Sequence, residues 1–322
     1  MAGTDQPQRA VGGISVRPPA GVEIRPLARD DFDVALAMVR ELYLLPEGDL
    51  ARQRDAFDAH INSVDSASFL ALAGGEPAGL ALFAFRRRLN WATWEGWVSD
   101  LYVRPPLRRR GIARALMRAC VEEWRLRRGH RFTLETGYDN APARALYESL
   151  DMTDAGKLFQ RRPVASVDAP TPAGVEIRPI EARDFEAVTR LLAELGRPAP
   201  TRETTDALRR TFVSHLGRSD TASLIATLDG APAAFVSLEF RRPFAMPSEQ
   251  AWIPDLIVAD HARGRGIGAA ILDAAFTASA RRGAYAVVLE SGHQRLAAHR
   301  LYARCGMMDV GSFYVLDRAN RP

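Results

Sequence analysis

Two turns rich in glycine and arginine could bind an anion. They read Arg108-Arg109-Arg110-Gly111-Ile112-Ala113 and Arg263-Gly264-Arg265-Gly266-Ile267-Gly268. Each turn follows a short apolar run typical of a strand and precedes apolar residues at helical spacing, so it lies at a helix N-terminus. The free N–H groups and partial positive charge of such an end suit a phosphate, and glycine lets the backbone approach it closely. The pattern therefore predicts a ligand that carries phosphate groups.

A second motif follows each turn. Asn140-x-x-Ala143-x-x-Leu146-Tyr147 returns as Arg295-x-x-Ala298-x-x-Leu301-Tyr302. A tyrosine at this helical spacing either packs in the core like the leucine beside it or donates its phenolic proton in catalysis. A dinucleotide-binding turn is not indicated, because Ala270 stands where its third glycine would be needed.

Both motifs belong to a longer repeat with a constant offset of 155 residues. For example, Trp97, Asp100 and Glu135 return as Trp252, Asp255 and Glu290. A unit of this length is too long for a solenoid, so the repeat indicates a duplicated domain. We predict a tail at 1–18, a first domain at 19–162, a proline-rich linker at 163–173 and a second domain at 174–322.

The composition is that of a globular protein. The chain has 322 residues, of which 47% are hydrophobic and 25% charged, a size that fits two domains. No apolar run approaches the roughly 20 residues of a membrane helix, and the N-terminus does not read as a secretory signal. Two cysteines, Cys120 and Cys305, are too few for a disulfide framework or a cysteine-based metal site. We therefore expect a soluble, cytoplasmic protein with no membrane contact and no bound metal.

The charge balance does not indicate a nucleic-acid partner. The net charge is only +4, and Lys157 is the sole lysine among 43 basic residues. Such an arginine bias is typical of high-GC codon usage, and no aromatic–basic motif accompanies it. A phosphate loop of the Gly-Lys-Ser/Thr kind is also absent from the sequence.

The elements that must position these residues recur in the same order in both copies. In the first copy we predict strands at Val22 to Pro26, Phe69 to Ala73, Leu80 to Phe85, Trp97 to Val103, Phe132 to Thr136 and near Leu158 to Gln160. We predict helices at Asp30 to Tyr43, Leu50 to Ile61, Ile112 to the residues before Gly129, and Ala141 to Leu150. A strand–helix–strand unit among antiparallel strands indicates an α/β layered fold around a mixed sheet.

With both motifs in this order, the sequence resembles the GCN5-related N-acetyltransferase (GNAT) superfamily over residues 20–162 and 174–320. It looks like that family's Arg/Gln-x-x-Gly-x-Gly/Ala loop, followed one strand later by Asn-x-x-Ala-x-x-Leu-Tyr. The resemblance implies two tandem domains, each with a splayed, mixed central β-sheet flanked by helices. It also implies direct transfer of an acetyl group from acetyl-coenzyme A to a primary amine.

The resemblance also implies which residues contact coenzyme A. The implied loop residues are Arg108, Arg109, Arg110, Gly111, Ile112 and Ala113 in the first copy, and Arg263, Gly264, Arg265, Gly266, Ile267 and Gly268 in the second. The implied contacts on the preceding strands are Leu101, Tyr102 and Val103, and Leu256, Ile257 and Val258, with Asn140 as a further contact.

For catalysis, the resemblance makes Tyr147 and Tyr302 the acids that protonate the departing thiolate. Asp100 and Asp255 resemble the aspartate of a Glu-Asp pair found in polyamine-type members, so they are candidate bases; Ser99 and Pro254 replace the glutamate. Glu95 and Glu249 are further candidates. The alternative is that both aspartates only fix a strand bulge through backbone N–H groups.

The sequence leaves open the identity of the substrate and whether one or both copies are catalytic. The acceptor is expected to be a small-molecule amine, such as a polyamine, an aminoglycoside or an amino-acid-like compound, or else a protein or peptide amine. Either both copies are catalytic, or one is a structural or acyl-coenzyme-A-sensing half. The halves are expected to form an internal pseudo-dimer in a monomer, or the chain a homodimer.

Overall fold

The computed structural model describes residues 18–163 and 171–317. All but the last residue of the predicted tail at 1–18, and most of the linker at 163–173, lie outside the described residues. We call residues 18–163 the N-terminal half and residues 171–317 the C-terminal half. The strands of the N-terminal half are β1 (Val22–Pro26), β2 (Phe69–Ala73), β3 (Glu76–Arg86), β4 (Glu95–Val103), β5 (Arg131–Thr136) and β6 (Thr153–Arg161). Its helices are α1 (Phe32–Tyr43), α2 (Leu50–Asn62), α3 (Ile112–Leu126) and α4 (Ala141–Glu148).

The C-terminal half repeats this order, with two of the long strands interrupted. Its strands are β7 (Val175–Pro179), β8 (Leu224–Leu228), β9 (Ala231–Val236), β10 (Glu239–Arg241), β11 (Gln250–Trp252), β12 (Leu256–Val258), β13 (Ala286–Gly292) and β14 (Met308–Asp317). Its helices are α5 (Phe185–Glu194), α6 (Thr205–Leu216), α7 (Ile267–Arg281) and α8 (Leu296–Arg304). Pro254 separates β11 from β12, because proline has no N–H for a regular ladder.

The two halves exchange their last strands. β6 pairs antiparallel with β13 of the C-terminal half, and β14 pairs antiparallel with β5 of the N-terminal half. β6 and β14 also pair with each other, so a ten-stranded sheet crosses both halves in the order β1-β2-β3-β4-β5-β14-β6-β13-β11-β10. A four-stranded sheet, β12-β9-β8-β7, completes the C-terminal half. The predicted domain limits, 19–162 and 174–322, follow the repeat in sequence and stay a prediction.

Each half also places an apolar residue in the hydrophobic core of the other. Leu89, from the connection between β3 and β4, is buried in the core of the C-terminal half. Phe244, at the same position of the repeat, is buried in the N-terminal half, where its ring centre lies 5.2 Å from that of Phe57. Because these contacts join two separate cores, each half stabilises the other.

The predicted fold class is confirmed. The elements predicted for the first copy are all present, with most ends within two or three residues of the predicted ones; the second strand of the hairpin begins four residues earlier, at Glu76. Gly74 and Gly75 form the turn of this hairpin with φ values of +61° and +86°, which glycine adopts without strain. Among the described residues, no helix combines the length and apolar character needed to cross a bilayer.

Candidate active site

Both predicted phosphate-binding turns lie where a long helix begins. α3 begins directly after Gly111 and α7 directly after Gly266, and these glycines adopt φ values of +81° and +80°. A residue with a Cβ is strained in this left-handed region, so the turn favours glycine. Glycine also has no side chain to cap the helix, which leaves the first N–H groups available to an anion.

The arginines hold and charge each turn. Arg108 Nε donates to the carbonyl oxygen of Val103 at 3.0 Å, and Arg263 Nε donates to that of Val258 at 3.2 Å. The first arginine of each turn therefore fixes it to the end of the preceding strand. Arg109 has a φ of +66°, close to the +77° of Gly264 at the same place in the repeat. The N-terminal half thus accepts a strained backbone at a position where it carries an extra positive charge.

The two turns differ strongly in charge. Residues 104–118 contain six arginines and no acidic residue, whereas residues 259–273 contain two arginines and two aspartates. One of those two arginines, Arg263, also forms an ion pair with Asp260 at 2.7 Å. The turn of the N-terminal half therefore offers an anionic ligand much more positive charge.

Beside each turn the central sheet splays open. β4 pairs in parallel with β5 only from Glu95 to Val98, and the rest of β4 turns away from β5. In the C-terminal half, β11 pairs with β13 in the same way, while β12 pairs only with β9. The splay frees backbone groups of 99–103 and 256–258, which can then bind an extended ligand.

The predicted strand contacts lie at this splay. The Tyr102 hydroxyl donates to Glu41 on α1 at 2.6 Å, so its side chain faces that helix, and Val103 is buried in the core. Leu101, Leu256 and Val258 are partly buried, and Ile257 is buried. Backbone groups rather than side chains are therefore what these residues can present in the splay.

The position of Asn140 differs between the halves. The Asn140 side chain accepts from the N–H of Ala143 and caps its own helix. Its counterpart, Arg295, donates to the carbonyl oxygen of Leu195 at 2.8 Å and so links α8 to the end of α5. The first copy therefore lacks the link that Arg295 makes in the second.

Tyr147 and Tyr302 are both buried on the last helix of their half, with 6% of each residue exposed. The strand exchange supplies a neighbour to each: Tyr314 of β14 packs on Tyr147 and Phe159 of β6 packs on Tyr302. Burial raises the pKa of both phenols. Each tyrosine therefore keeps its proton at neutral pH and is able to donate it.

The two aspartates have the same place in the repeat but different surroundings. Asp100 accepts from the Tyr43 hydroxyl at 2.7 Å and from Ser99 at 2.6 Å, and burial raises the pKa of Asp100 despite these bonds. Asp255 accepts from Arg197 at 2.8 Å and lies 3.9 Å from Arg88. Asp255 is thus paired with guanidinium groups, whereas Asp100 accepts only from neutral hydroxyl groups, so Asp100 has the surroundings better suited to a base.

Glu95 and Glu249 do not have the surroundings of a base. Glu95 is completely buried, and its carboxylate accepts from both Arg86 and Arg88. Burial alone would raise the pKa of Glu95, but the two guanidinium groups hold it well below its usual range. Arg282 and Arg242 likewise pair with Glu249 and lower its pKa against the effect of burial.

Sequence reasoning missed a pair of carboxyl groups where the halves meet. Glu135 and Glu290 each accept from an indole N–H, of Trp97 and Trp252 respectively, at 2.7 Å. Burial, and then the nearby charge of Glu290, raise the pKa of Glu135 to about 8. Both residues keep the offset of the repeat, and this was the signal in the sequence that could have marked them as equivalent. The offset does not show that the two carboxyl groups lie close together in the structure.

Two cavities lie at these residues. One, of about 1160 Å³, is lined by both halves and includes Tyr43, Asp100, Gln250 and Tyr285. The other, of about 290 Å³, lies at the splay of the C-terminal half and includes Asp255 and Tyr302. The first cavity is large enough for a small organic molecule, since its volume lies slightly above the roughly 300–1,000 Å³ that is usual for ligand sites.

The family follows from comparison with known proteins. The model of the "Acetyltransferase (GNAT) family" matches residues 36–152 and again residues 185–307. The chain belongs to this family. It is a tandem member and an acyltransferase, as the two motifs predicted, and both matched segments contain a turn, a splayed strand and the buried tyrosine.

Relatives and solved structures support this assignment. The chain is 32% identical over 130 residues to the aminoalkylphosphonate N-acetyltransferase of Salmonella typhimurium. The aligned segment covers 36% of this chain and 84% of that protein. It is 29% identical over 140 residues to the thialysine N-epsilon-acetyltransferase of Caenorhabditis elegans, over 42% of this chain and 85% of that one.

Two solved structures share the fold over almost the whole chain. A GCN5-related N-acetyltransferase from Sphaerobacter thermophilus superposes with a TM-score of 0.63 at 20% identity, covering 94% of this chain and 97% of that one. A tandem GNAT protein from the clavulanic acid biosynthesis pathway gives a TM-score of 0.58 at 19% identity, covering 92% and 98%. At these identities the likeness concerns the fold alone.

Proposed function

We propose that this chain transfers an acetyl group from acetyl-coenzyme A directly to the primary amine of a small molecule. The observation that carries the proposal is the repeated arrangement of a left-handed glycine, an uncapped helix N-terminus, a splayed strand and a buried tyrosine. Acetyl-coenzyme A supplies an activated thioester. The turn at Gly111 would hold its pyrophosphate, and the free backbone groups of 99–103 would hold its pantetheine arm.

The chain's own residues can move the two protons that the reaction requires. Asp100 would accept a proton from the acceptor ammonium, because its raised pKa brings it closer to the pKa of an amine. The amine nitrogen then bonds to the carbonyl carbon, the carbon–sulfur bond breaks, and Tyr147 donates its proton to the departing sulfur. The nitrogen loses its second proton as the amide forms, and this proton would restore the Tyr147 phenol, while Asp100 would release the proton that it accepted to solvent.

The acceptor is proposed to be a small molecule on two grounds. The cavity beside Asp100 is closed on several sides by both halves, which favours a compact amine over a folded protein surface. Two relatives that resemble the chain over one domain are named for the acetylation of small amines. The proposed acceptors include polyamines, aminoglycosides and amino-acid-like amines. The proposed location of the enzyme is the cytoplasm.

The test has a binding part and a reaction part. Acetyl-coenzyme A is titrated calorimetrically into the full chain, and release of the free thiol is then followed with a panel of primary amines. Binding together with amine-dependent thiol release supports the proposal, and Asp100→Asn should then lower kcat/KM for the amine about a hundredfold or more. A chain that binds no acetyl-coenzyme A would contradict the proposal, however well the motifs match.

A further inference from the structure

The acids at the two splays are surrounded by residues of the opposite half. The connection between β3 and β4 carries Leu89 into the C-terminal half, and Arg88 goes with it. Arg88 is 4% exposed, donates to the carbonyl oxygen of Pro254 at 2.7 Å and lies 3.9 Å from Asp255. The C-terminal splay thus contains a guanidinium group that belongs to the N-terminal half.

At Asp255 that guanidinium is part of a closed ion network. Arg88 is itself held by Glu95 at 2.8 Å, and Arg197 adds a second guanidinium at 2.8 Å from Asp255. Asp255 is only 2% exposed. Oδ2 of Asp255 has no hydrogen-bond partner, but the two guanidinium groups beside this carboxylate already balance its charge and would repel an ammonium group that entered there.

At Asp100 the C-terminal half supplies neutral groups instead. Gln250 and Tyr285 line the large cavity together with Asp100 and Tyr43, and Gln250 Nε2 donates to the Tyr285 hydroxyl at 3.0 Å. The charge of Asp100 contributes to raising the pKa of Tyr285 to about 12, after burial. Among the residues that the structure describes, none places a cation within ion-pair distance of Asp100.

Most arginines that line this cavity are engaged by groups other than Asp100, although the charge of Arg241 also acts on Tyr285. Arg218 pairs with Asp220 and Glu239, and Arg242 and Arg282 both pair with Glu249. Arg86 pairs with Glu95, and the Arg87 guanidinium lies over the ring of Trp94 at 3.8 Å. Arg241 lies between the rings of Trp97 and Trp252, at 4.1 Å and 3.9 Å.

The repeat explains the difference between the two sites. Pro243 occupies the position of Arg88, Gln250 that of Glu95, and Tyr285 that of His130. Proline cannot supply a guanidinium to Asp100, and an uncharged amide would not hold one there. These substitutions leave Asp100 without a counterpart of Arg88, while the second cation beside Asp255, Arg197, comes from the C-terminal half itself.

We propose that the chain has a single amine-acceptor site, at Asp100, and that the C-terminal half completes it with Tyr285 and Gln250. The ligand class is a primary ammonium whose organic part extends along the shared cavity. This inference rests on the proposed function for its chemistry, but the binding site itself can be tested without acetyl transfer.

The experiment is a calorimetric titration of 1,4-diaminobutane into the full chain. We expect one equivalent per chain, lost in Asp100→Asn. In Tyr285→Ala the dissociation constant should rise about tenfold, because a tyrosine wall of the site is removed. His130→Ala is the matched control, since it changes the same position of the repeat outside both cavities, and it should leave the dissociation constant within about twofold. Unfolding midpoints confirm that every variant is folded.

Three results would overturn the inference: two equivalents of diamine per chain, binding that Tyr285→Ala leaves unchanged, or no binding in the millimolar range. Failure of the proposed function looks different. If the diamine binds as expected but no acetyl transfer to any amine occurs, the acceptor site stands and the transferase proposal falls. If transfer occurs with an amine KM that is insensitive to Tyr285→Ala, the transferase proposal stands and the shared site falls.

Discussion

Replacing Gly111 by aspartate or by asparagine separates the effect of charge at the turn proposed to bind coenzyme A from the effect of the turn's shape. The two side chains have nearly the same size, and both tolerate a left-handed backbone better than most residues. At φ +81° both variants carry the same backbone strain, and in both the new Cβ would lie 3.0 Å from Cγ of Pro19. Any difference in coenzyme affinity between the variants therefore measures the charge.

The size of that difference follows from Coulomb's law. At about 4 Å, repulsion between a carboxylate and one phosphate charge is about 1 kcal/mol in water and about 4 kcal/mol at an effective dielectric constant near 20. Because about 1.4 kcal/mol corresponds to a factor of ten, Gly111→Asp should weaken acetyl-coenzyme A binding roughly fivefold to a thousandfold more than Gly111→Asn. Added salt should reduce the gap.

The assay is calorimetric titration of acetyl-coenzyme A at low and at moderate salt. The same pair of substitutions at Gly266, where φ is +80° and Cγ of Pro172 lies 3.4 Å from the new Cβ, tests the second turn. Since the first turn carries more arginine, the site that Gly111→Asp removes should have the steeper salt dependence. Equal affinities for Gly111→Asp and Gly111→Asn would refute the assignment of phosphate groups to this turn.

Three further predictions concern the acid, a buried ion pair and the carboxyl pair. Tyr147→Phe should lower kcat about a hundredfold and leave acetyl-coenzyme A affinity unchanged; full turnover would exclude the acid role. Glu95→Gln should lower the free energy of unfolding in urea by about 3–5 kcal/mol, because it leaves buried guanidinium groups uncompensated. Glu123→Gln, in the partly exposed i,i+4 pair with Arg127, should cost less than about 1 kcal/mol. The pKa of Glu135 is raised to about 8 in the folded state, so the chain takes up a proton on folding at any pH between the ordinary pKa of a glutamate and about 8. Stability from Glu135 should be complete at acid pH and fall as the pH rises toward 8; a Glu135→Gln chain that shows the same decline in urea titrations would contradict this.

Much of the fold could be read from local sequence. Hydrophobic spacing located the helices, and Gly74 and Gly75 located the hairpin, because a backbone with positive φ excludes most other residues. The exchange of β6 and β14 could not be predicted in this way. Both strands have the same pattern whichever sheet they join, and the choice depends on contacts between residues far apart in the chain.

The candidate site likewise has residues that the sequence could locate and residues whose surroundings it could not show. Gly111, Gly266 and the two tyrosines lie where their motifs predicted, since the turn and the helix are fixed by neighbours in sequence. Glu95 was a reasonable candidate base by its place before the coenzyme strand. Its burial with Arg86 and Arg88 became visible only when β3 and β4 were side by side.

The sequence by itself determined that the chain is a duplicated domain, where the turns proposed to bind phosphate lie and which tyrosines accompany them. The tertiary structure alone decided how its two equivalent aspartates differ. Asp100 and Asp255 are each followed by leucine on equivalent strands, and the preceding Ser99 and Pro254 are both uncharged, so no neighbour in sequence shows which carboxylate is paired with a cation. Arg88, which lies beside Asp255, is 167 positions away in the chain and arrives through the packing of one half against the other. The charge state of a buried group depends on such neighbours in space, because electrostatic interactions act through distance and burial rather than along the chain.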